Sequence, residues 1–303
     1  MKTKRVDLKL GFKCNNFCRF CIQKRNRNKS NKKPQEVKRI LEEEAEECID
    51  VIFTGGEPTI YEELIDYISH AKDLGYRKIQ IQTNGRMFSS LSYCKELIDA
   101  GANIFNPALH GSNSEIHDYL TRAQGSFDQV LQGLKNLKKL DQKIFVNTVV
   151  TKINYKDLVN ITELLMDIEP TLFQCAFIHI NSEIKKNKDL IEKIVPRYKD
   201  VVPEMKKAID MGEKSNIGKI ETEAVPFCLM KGYEDNIAEI NCPETNVHDA
   251  DRVLKNFTEV RISEGKARGD ECKKCKYFGV CEGVWEEYPE IFGWDEFEPV
   301  KSD

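Results

Sequence analysis

Cys14-Asn15-Asn16-Phe17-Cys18-Arg19-Phe20-Cys21 follows directly on the apolar run Val6–Phe12, and a second apolar run, Val51–Thr54, opens into Gly55-Gly56-Glu57-Pro58. Short apolar runs closed by glycine or polar residues read as buried strands. The pattern recurs at Lys78–Thr83, Asn103–Leu109, Lys143–Thr151 and Leu172–Ile180. Between the runs, apolar residues three and four apart predict helices at Tyr61–Leu74, Ser89–Ala100, Phe127–Leu140 and Tyr155–Ile168. Gly75, Gly85 and Gly101 punctuate their ends. Six alternating units imply an α/β fold of parallel strands joined by right-handed crossovers. A complete eight-unit barrel takes roughly 250 residues, and only about 210 precede the loss of the pattern near Gly218. The expectation is therefore a partial (β/α)6 barrel of the TIM type over residues 1–218.

From residue 219 to 303 the texture changes. Pro, Cys and acidic residues become dense and no strand–helix alternation is evident. Such a segment is poor in apolar side chains, and a bound metal cluster would supply the missing stability of a small C-terminal domain. The chain as a whole is ordinary: 40% hydrophobic, 32% charged, net charge −4. Nothing in that balance calls for nucleic acid or an anionic membrane as partner. The opening MKTKRVDLKLGF carries no apolar run of signal-peptide length and no later stretch is long enough to span a bilayer, so the cytoplasm is the expected location.

Eleven cysteines are then unusual, because cytosolic thiols rarely form structural disulfides. Cys48, Cys94 and Cys175 stand alone and read as small buried hydrophobes. The others gather towards the two ends, which points to metal. Cys14-x3-Cys18-x2-Cys21 sits in the loop after the first strand, at the end of a barrel where active sites lie. Three thiolates hold three irons of a [4Fe–4S] cluster and leave the fourth open for chemistry; zinc completed by a distant ligand suits the same spacing. In the next unit, Gly55 and Gly56 let the backbone approach a ligand, and Glu57 can accept from an ammonium.

CxxxCxxC after the first strand and GGEP after the second together resemble the radical S-adenosylmethionine (radical SAM) superfamily. The resemblance implies that Cys14, Cys18 and Cys21 hold the cluster and that its open iron takes the amino and carboxylate groups of S-adenosylmethionine. It implies that Gly55, Gly56 and Glu57 hold the methionine ammonium and that Phe20 lies beside the adenine. Thr83-Asn84-Gly85 is similar to the superfamily's turn after strand three. Ser112 in His110-Gly111-Ser112, Arg122 and Asn147 match positions that reach the cofactor, with Asn147 toward the ribose and Arg122 toward the carboxylate. The alternative for each is a polar residue capping a helix or turn. His117 is expected on a helix surface. His179 either lines a substrate cavity or satisfies a backbone group. The implied chemistry is one-electron cleavage of the sulfonium, giving a 5′-deoxyadenosyl radical that takes a hydrogen atom from substrate.

Cys272-x2-Cys275-x5-Cys281 resembles the SPASM and twitch extensions that carry a second, auxiliary [4Fe–4S] cluster, in truncated form, because no cysteine follows Cys281; the resemblance makes residues 219–303 a small C-terminal iron–sulfur domain. A zinc knuckle is the other reading of the spacing. Cys228, in the apolar Pro226-Phe227-Cys228-Leu229-Met230, is the expected fourth ligand, since clusters sit in a dry shell. Cys242 is then left as a free thiol and candidate hydrogen-atom donor. Trp285, Tyr288, Phe292 and Trp294 are expected to pack the small domain. Lys24–Lys33 is a basic loop without interleaved aromatics, which argues against nucleic acid. The expected substrate is a peptide or protein, with a small molecule of carbohydrate or cofactor biosynthesis as the alternative. An electron donor such as flavodoxin or ferredoxin is the expected redox partner.

Overall fold

The computed structural model describes residues 4–301. In chain order the strands are β1 (Lys4–Lys9), β2 (Asp50–Thr54), β3 (Lys78–Thr83), β4 (Ile104–Pro107), β5 (Lys143–Val150), β6 (Leu172–Phe177), β7 (Ile220–Glu223), β8 (Glu244–His248), β9 (Val253–Leu254), β10 (Lys266–Ala267) and β11 (Val284–Trp285). The helices are α1 (Pro34–Glu44), α2 (Leu64–Asp73), α3 (Leu91–Ala100), α4 (Ser114–Thr121), α5 (Ser126–Lys139), α6 (Leu158–Met166), α7 (Ser182–Lys185), α8 (Lys188–Ile194), α9 (Tyr198–Gly212), α10 (Phe257–Gly265) and α11 (Glu287–Phe292). The six strands and four helices read from the sequence are all present. The fold is α/β and mostly parallel, as the partial-barrel reading requires.

Two compact units make up the chain. The first comprises the residues up to Leu109, Asn113–Val146 and Pro243–Thr258. There β1 to β4 pair in parallel in sequence order, and β4 pairs with the start of β5. Every residue of β2 is buried, as expected of a parallel strand covered on both faces. Val37, Ile40 and Leu41 of α1, Leu64 and Ile68 of α2, and Val130, Leu134 and Leu137 of α5 supply the apolar helix faces of this core.

Two features of this unit lie outside the elements read from the sequence. A further helix, α4, precedes α5 and is separated from it by a break. Arg122 and Gly125 adopt left-handed backbone conformations, and Asp118 ends the break by accepting from the N–H groups of Gly125 and Phe127 and the hydroxyl of Ser126. The chain also returns late: β8 pairs in parallel with the free edge of β1, and β9 turns back against it. Glu-Thr-Asn-Val-His is a poor strand signal because its buried side chains are mostly polar. They are tolerated because Glu44 of α1 accepts from Asn246 and pairs with His248, 2.9 Å away.

The second unit comprises His110–Ser112, Asn147–Cys242 and the residues from Glu259 onward. Here β6 and β7 pair in parallel, and β10 and β11 form an antiparallel ribbon that sets Lys266 opposite Trp285. Phe177 stacks on Tyr198 at 3.9 Å, and the fully buried Tyr288 of α11 packs against both. Tyr288 also donates its hydroxyl towards Glu296 and accepts from the backbone N–H of Tyr198. Among the described residues, no helix is long and apolar enough to cross a membrane.

Candidate active site and a second cysteine pocket

The loop after β1 carries Cys14, Cys18 and Cys21, each partly exposed. Burial pushes the Cys18 thiol up to about 12, and its neighbours Cys21 and Cys14 push in the same direction. Burial raises the Cys14 thiol as well. Thiols that oppose one another's ionisation become stable as thiolates beside a cation, which is what a cluster iron provides. Cys14 Sγ already has two amide donors near it, the Asn16 N–H at 3.4 Å and Asn84 Nδ2 at 3.9 Å. Hydrogen bonds of this kind to sulfur tune a cluster. The donor set therefore fits an iron–sulfur cluster with three protein ligands.

Two further elements hold this loop. Gly56 and Glu57, after β2, donate their N–H groups to the carbonyls of Gly11 and Lys13. A side chain would not fit: a Cβ at Gly55, where φ is +129°, would lie 2.2 Å from the Gly11 oxygen, and one at Gly56 would lie 2.2 Å from the Lys13 oxygen. Glu57 is fully buried. Its carboxylate accepts from the Thr59 N–H and hydroxyl, from the Thr83 hydroxyl at 2.5 Å and from the Asn84 N–H at 2.6 Å. Burial pushes this carboxyl up while those donors pull it down. The contact welds the turn after β2 to the turn after β3. Asn84 in turn donates to Asn15 in the cysteine loop.

Arg86 escaped the sequence reading. Its guanidinium donates to the Asn15 carbonyl, to Asn16 Oδ1 and to Gln129 of α5, so it clamps the cysteine loop to the next turn and helix. Its position two residues beyond Asn84 was the only available signal. The end of α4 contributes too: the Thr121 and Leu120 carbonyls accept from the Phe17 and Arg19 N–H groups. Arg122 follows, exposed, and Phe20 is buried in the loop itself. His117 is not a surface residue. It is 1% exposed against Phe127, and burial holds its imidazole down at about 4, so it is neutral packing.

Ser112 and Asn147 belong to the second unit. Ser112 gives both its N–H and its hydroxyl to Asp157, each at 2.7 Å. Asn147 is half-buried on β5. His110 accepts from the Val149 N–H. Among the described residues the His179 ring bonds no backbone group; it stacks on Trp285 at 4.1 Å. Cys48, Cys94 and Cys175 are buried, as expected.

The tail brings four cysteines around one pocket. Cys228, Cys272, Cys275 and Cys281 line one pocket, with Phe278 and Trp294 among its apolar walls. Burial pushes the Cys228 thiol up to about 12, and the next three causes are Cys281, Cys272 and Cys275. Cys242 is half-buried and is not part of that lining. It lies instead by the guanidinium of Arg261, which is held bidentately by Glu282. Among the described residues, no three His, Cys, Asp or Glu side chains converge as ligands of a single metal ion.

The basic loop is partly neutralised within its own unit. Lys29 pairs with Asp251, and Lys32 donates to the Asp249 carbonyl.

The sequence profile of the Radical SAM superfamily matches residues 8–165, just over half of the 303 residues, and the chain belongs to that superfamily. It is an enzyme of this class. It is 30% identical over 179 residues to the probable GTP 3′,8-cyclase of Methanocaldococcus jannaschii, a match covering 57% of this chain and 58% of that protein. The probable GTP 3′,8-cyclase of Sulfurisphaera tokodaii is 30% identical over 151 residues, covering 49% and 47%. The chain spans about half the length of the curated relatives it matches. Among solved structures, Streptococcus suis SuiB bound to precursor peptide SuiA superimposes with a TM-score of 0.71 at 16% identity, covering 99% of this chain and 75% of that one. The anSMEcpe structure with bound AdoMet and Cp18Cys peptide gives 0.70 at 17% identity, covering 98% and 93%. These likenesses establish the fold.

Proposed function

We propose that this radical SAM enzyme carries two [4Fe–4S] clusters and modifies a peptide or protein substrate. The first cluster is assigned to Cys14, Cys18 and Cys21. The auxiliary one is assigned to Cys228, Cys272, Cys275 and Cys281 in a SPASM- or twitch-like tail. The observation that carries this reading is the single pocket lined by four tail cysteines, with Phe278, Trp294 and Phe297 among its walls. When bound, the first cluster supplies the electron that cleaves S-adenosylmethionine to methionine and a 5′-deoxyadenosyl radical. The chain's own residues position the cofactor. The N–H groups of Gly56 and Glu57 are taken by Gly11 and Lys13, so this loop offers carbonyl oxygens to the methionine ammonium, and Glu57 adds its charge. Thr83 and Asn84 hold the loop, while Phe20, Arg122, Ser112 and Asn147 are the candidates for adenine, carboxylate and ribose. Cys242 is the candidate hydrogen-atom donor, and a flavodoxin or ferredoxin the candidate reductant in the cytoplasm.

The peptide substrate is supported by two of the structural neighbours, which were solved with peptides bound. A second reading, cyclisation of GTP, is favoured by the names of the sequence relatives. Anaerobic reconstitution tests the first part: about eight iron and eight sulfide per chain are expected from two four-iron clusters, and stoichiometric zinc would refute the assignment. The substrate is tested by 5′-deoxyadenosine formation. GTP that accelerates it and is itself consumed would replace the peptide reading.

A further inference from the structure

Buried polar groups are almost always hydrogen-bonded, so a group of them left without partners requires an explanation. The second unit contains such a group, distinct from both cysteine sites. The Lys266 side chain on β10 is 1% exposed. Its ammonium makes no hydrogen bond among the described residues. It stands 3.9 Å from Glu239 Oε1 and 4.0 Å above the Trp285 ring. Glu239 uses that same oxygen to accept from the Ala224 N–H, and its other oxygen has no partner. The Trp285 indole N–H and Glu287 Oε2 are buried and unpartnered as well. His179 links them, stacked on Trp285 and 3.9 Å from the other oxygen of Glu287. Burial, with Lys266 nearby, holds this histidine down at about 4, so it is neutral at ordinary pH.

Two donors, Lys266 Nζ and Trp285 Nε1, and two acceptors, Glu239 Oε2 and Glu287 Oε2, are thus buried in one neighbourhood. Leaving them so is expensive, because each lacks the water it would have in the unfolded chain. The surrounding charge is also one-sided. Glu223 and Glu282 adjoin the pair, and Arg261 is already committed to Glu282. A site with spare carboxylates suits a ligand group that donates as well as accepts, and repels a triphosphate.

We propose that Lys266, Glu239, Trp285, Glu287 and His179 form a substrate-recognition site for peptide groups, in which an amide or carboxylate oxygen meets Lys266 and Trp285 and an amide or ammonium N–H meets Glu239 and Glu287. This deepens the peptide reading above and rests on it. The site explains why an apolar-poor tail buries a lysine at all: the cost to the empty protein is recovered when substrate binds.

Anaerobic calorimetry on the reconstituted enzyme tests the proposal with glycylglutamine, the simplest peptide that carries an ammonium, a backbone amide, a side-chain amide and a carboxylate. Saturable binding is expected, weakened roughly tenfold or more by Lys266→Met, by Glu239→Gln and by Trp285→Phe, since each removes one hydrogen bond, charge-assisted in the first two. Absence of saturable binding, or binding indifferent to all three changes, would overturn it. Binding of GTP that requires Lys266 would overturn the peptide chemistry of the site and the peptide substrate together. Binding of the dipeptide in an enzyme that turns over GTP would refute only the substrate reading. Thermal unfolding supplies a readout free of ligand: because Lys266 stands 3.9 Å from the buried Glu239, Lys266→Met alone should lower the melting temperature, and the double change Lys266→Met with Glu239→Gln, which removes both charges, should restore or raise it. A double variant as unstable as Lys266→Met would show that the two charges are built into the fold rather than held for a ligand and would sink the proposal.

Discussion

Glu57 and Glu239 are both buried carboxylates, one in each unit, and their surroundings are opposite. Glu57 collects four protein donors from Thr59, Thr83 and Asn84. Glu239 collects one, from Ala224, and faces a lysine that is itself without a hydrogen bond. Burial pushes both carboxyls up; at Glu57 the four donors push back, whereas Glu239 is left at about 7. A buried charge whose donors come from the chain fixes architecture. One whose donors are missing is held ready for something the chain does not contain.

The largest effect expected belongs to the region that Glu57 braces. Replacing Cys14, Cys18 and Cys21 together with Ala should abolish reductive cleavage of S-adenosylmethionine while leaving iron in the tail. Iron analysis beside a 5′-deoxyadenosine assay measures both, and retained cleavage would show that the loop is not the cluster site. The tail gives the counterpart. Cys228→Ala should lower auxiliary iron or unfold the second unit, since loss of a structural metal site is among the few single changes with that reach. Cys242→Ala should leave both iron complements intact. The reverse pattern would make Cys242 the ligand and Cys228 the free thiol. If Cys242→Ala also leaves turnover normal, hydrogen-atom donation by Cys242 is excluded.

Glu57→Gln sharpens the comparison itself. An amide cannot accept from all four donors, and the mismatch should cost about 1–3 kcal/mol of stability. If Glu57 also faces the methionine ammonium, affinity for S-adenosylmethionine should fall roughly 10- to 150-fold, the value of a lost charge-assisted hydrogen bond. Melting temperature and cofactor affinity, measured on the same variant, separate the two roles. Loss of stability with unchanged affinity would make Glu57 a brace alone.

The sequence was more legible in the first unit than in the second, for a physical reason. The strands from β1 to β6 register because their inward positions are apolar: β2 is buried throughout, while β1, β3, β5 and β6 alternate buried with less buried residues. The GGEP and TNG turns register because glycine and short polar residues are required where backbone meets backbone. β8 did not register, because Asn246 and His248 are buried by pairing with Glu44 rather than by being apolar. Arg86 did not register, because its partners are a carbonyl, an asparagine and a glutamine that only the folded chain brings together. The Lys266 neighbourhood is the extreme case. His179, Glu239, Lys266, Trp285 and Glu287 are scattered over more than a hundred residues with no spacing rule, and the aromatic pattern around Trp285 read as simple packing. Tyr288 does pack in that way; Trp285 instead carries an unpartnered N–H.

The smallest expected effect concerns the unbraced carboxylate. Glu239 ordinarily titrates near 4.5, and in the folded chain burial, with Glu223 and Glu282 adjoining, lifts it to about 7 against the opposing pull of Lys266 and the Ala224 N–H. Between those values the folded chain holds a proton that the unfolded chain has released. The associated stability is present below about 4.5 and is lost as pH rises through about 7. One proton gives a slope of at most about 1.4 kcal/mol per pH unit, so the effect is modest and sits on the background of every other carboxylate. Glu239→Gln isolates it: denaturation of the reconstituted enzyme and the variant, compared from pH 5 to 8, should show the variant gaining relative stability as pH rises. Lys266→Met should steepen the loss in the enzyme that keeps Glu239, because the cation that opposes the shift is removed. Parallel curves for wild type and Glu239→Gln would mean that this carboxylate finds donors after all, and that the two regions do not differ in the way their geometry indicates.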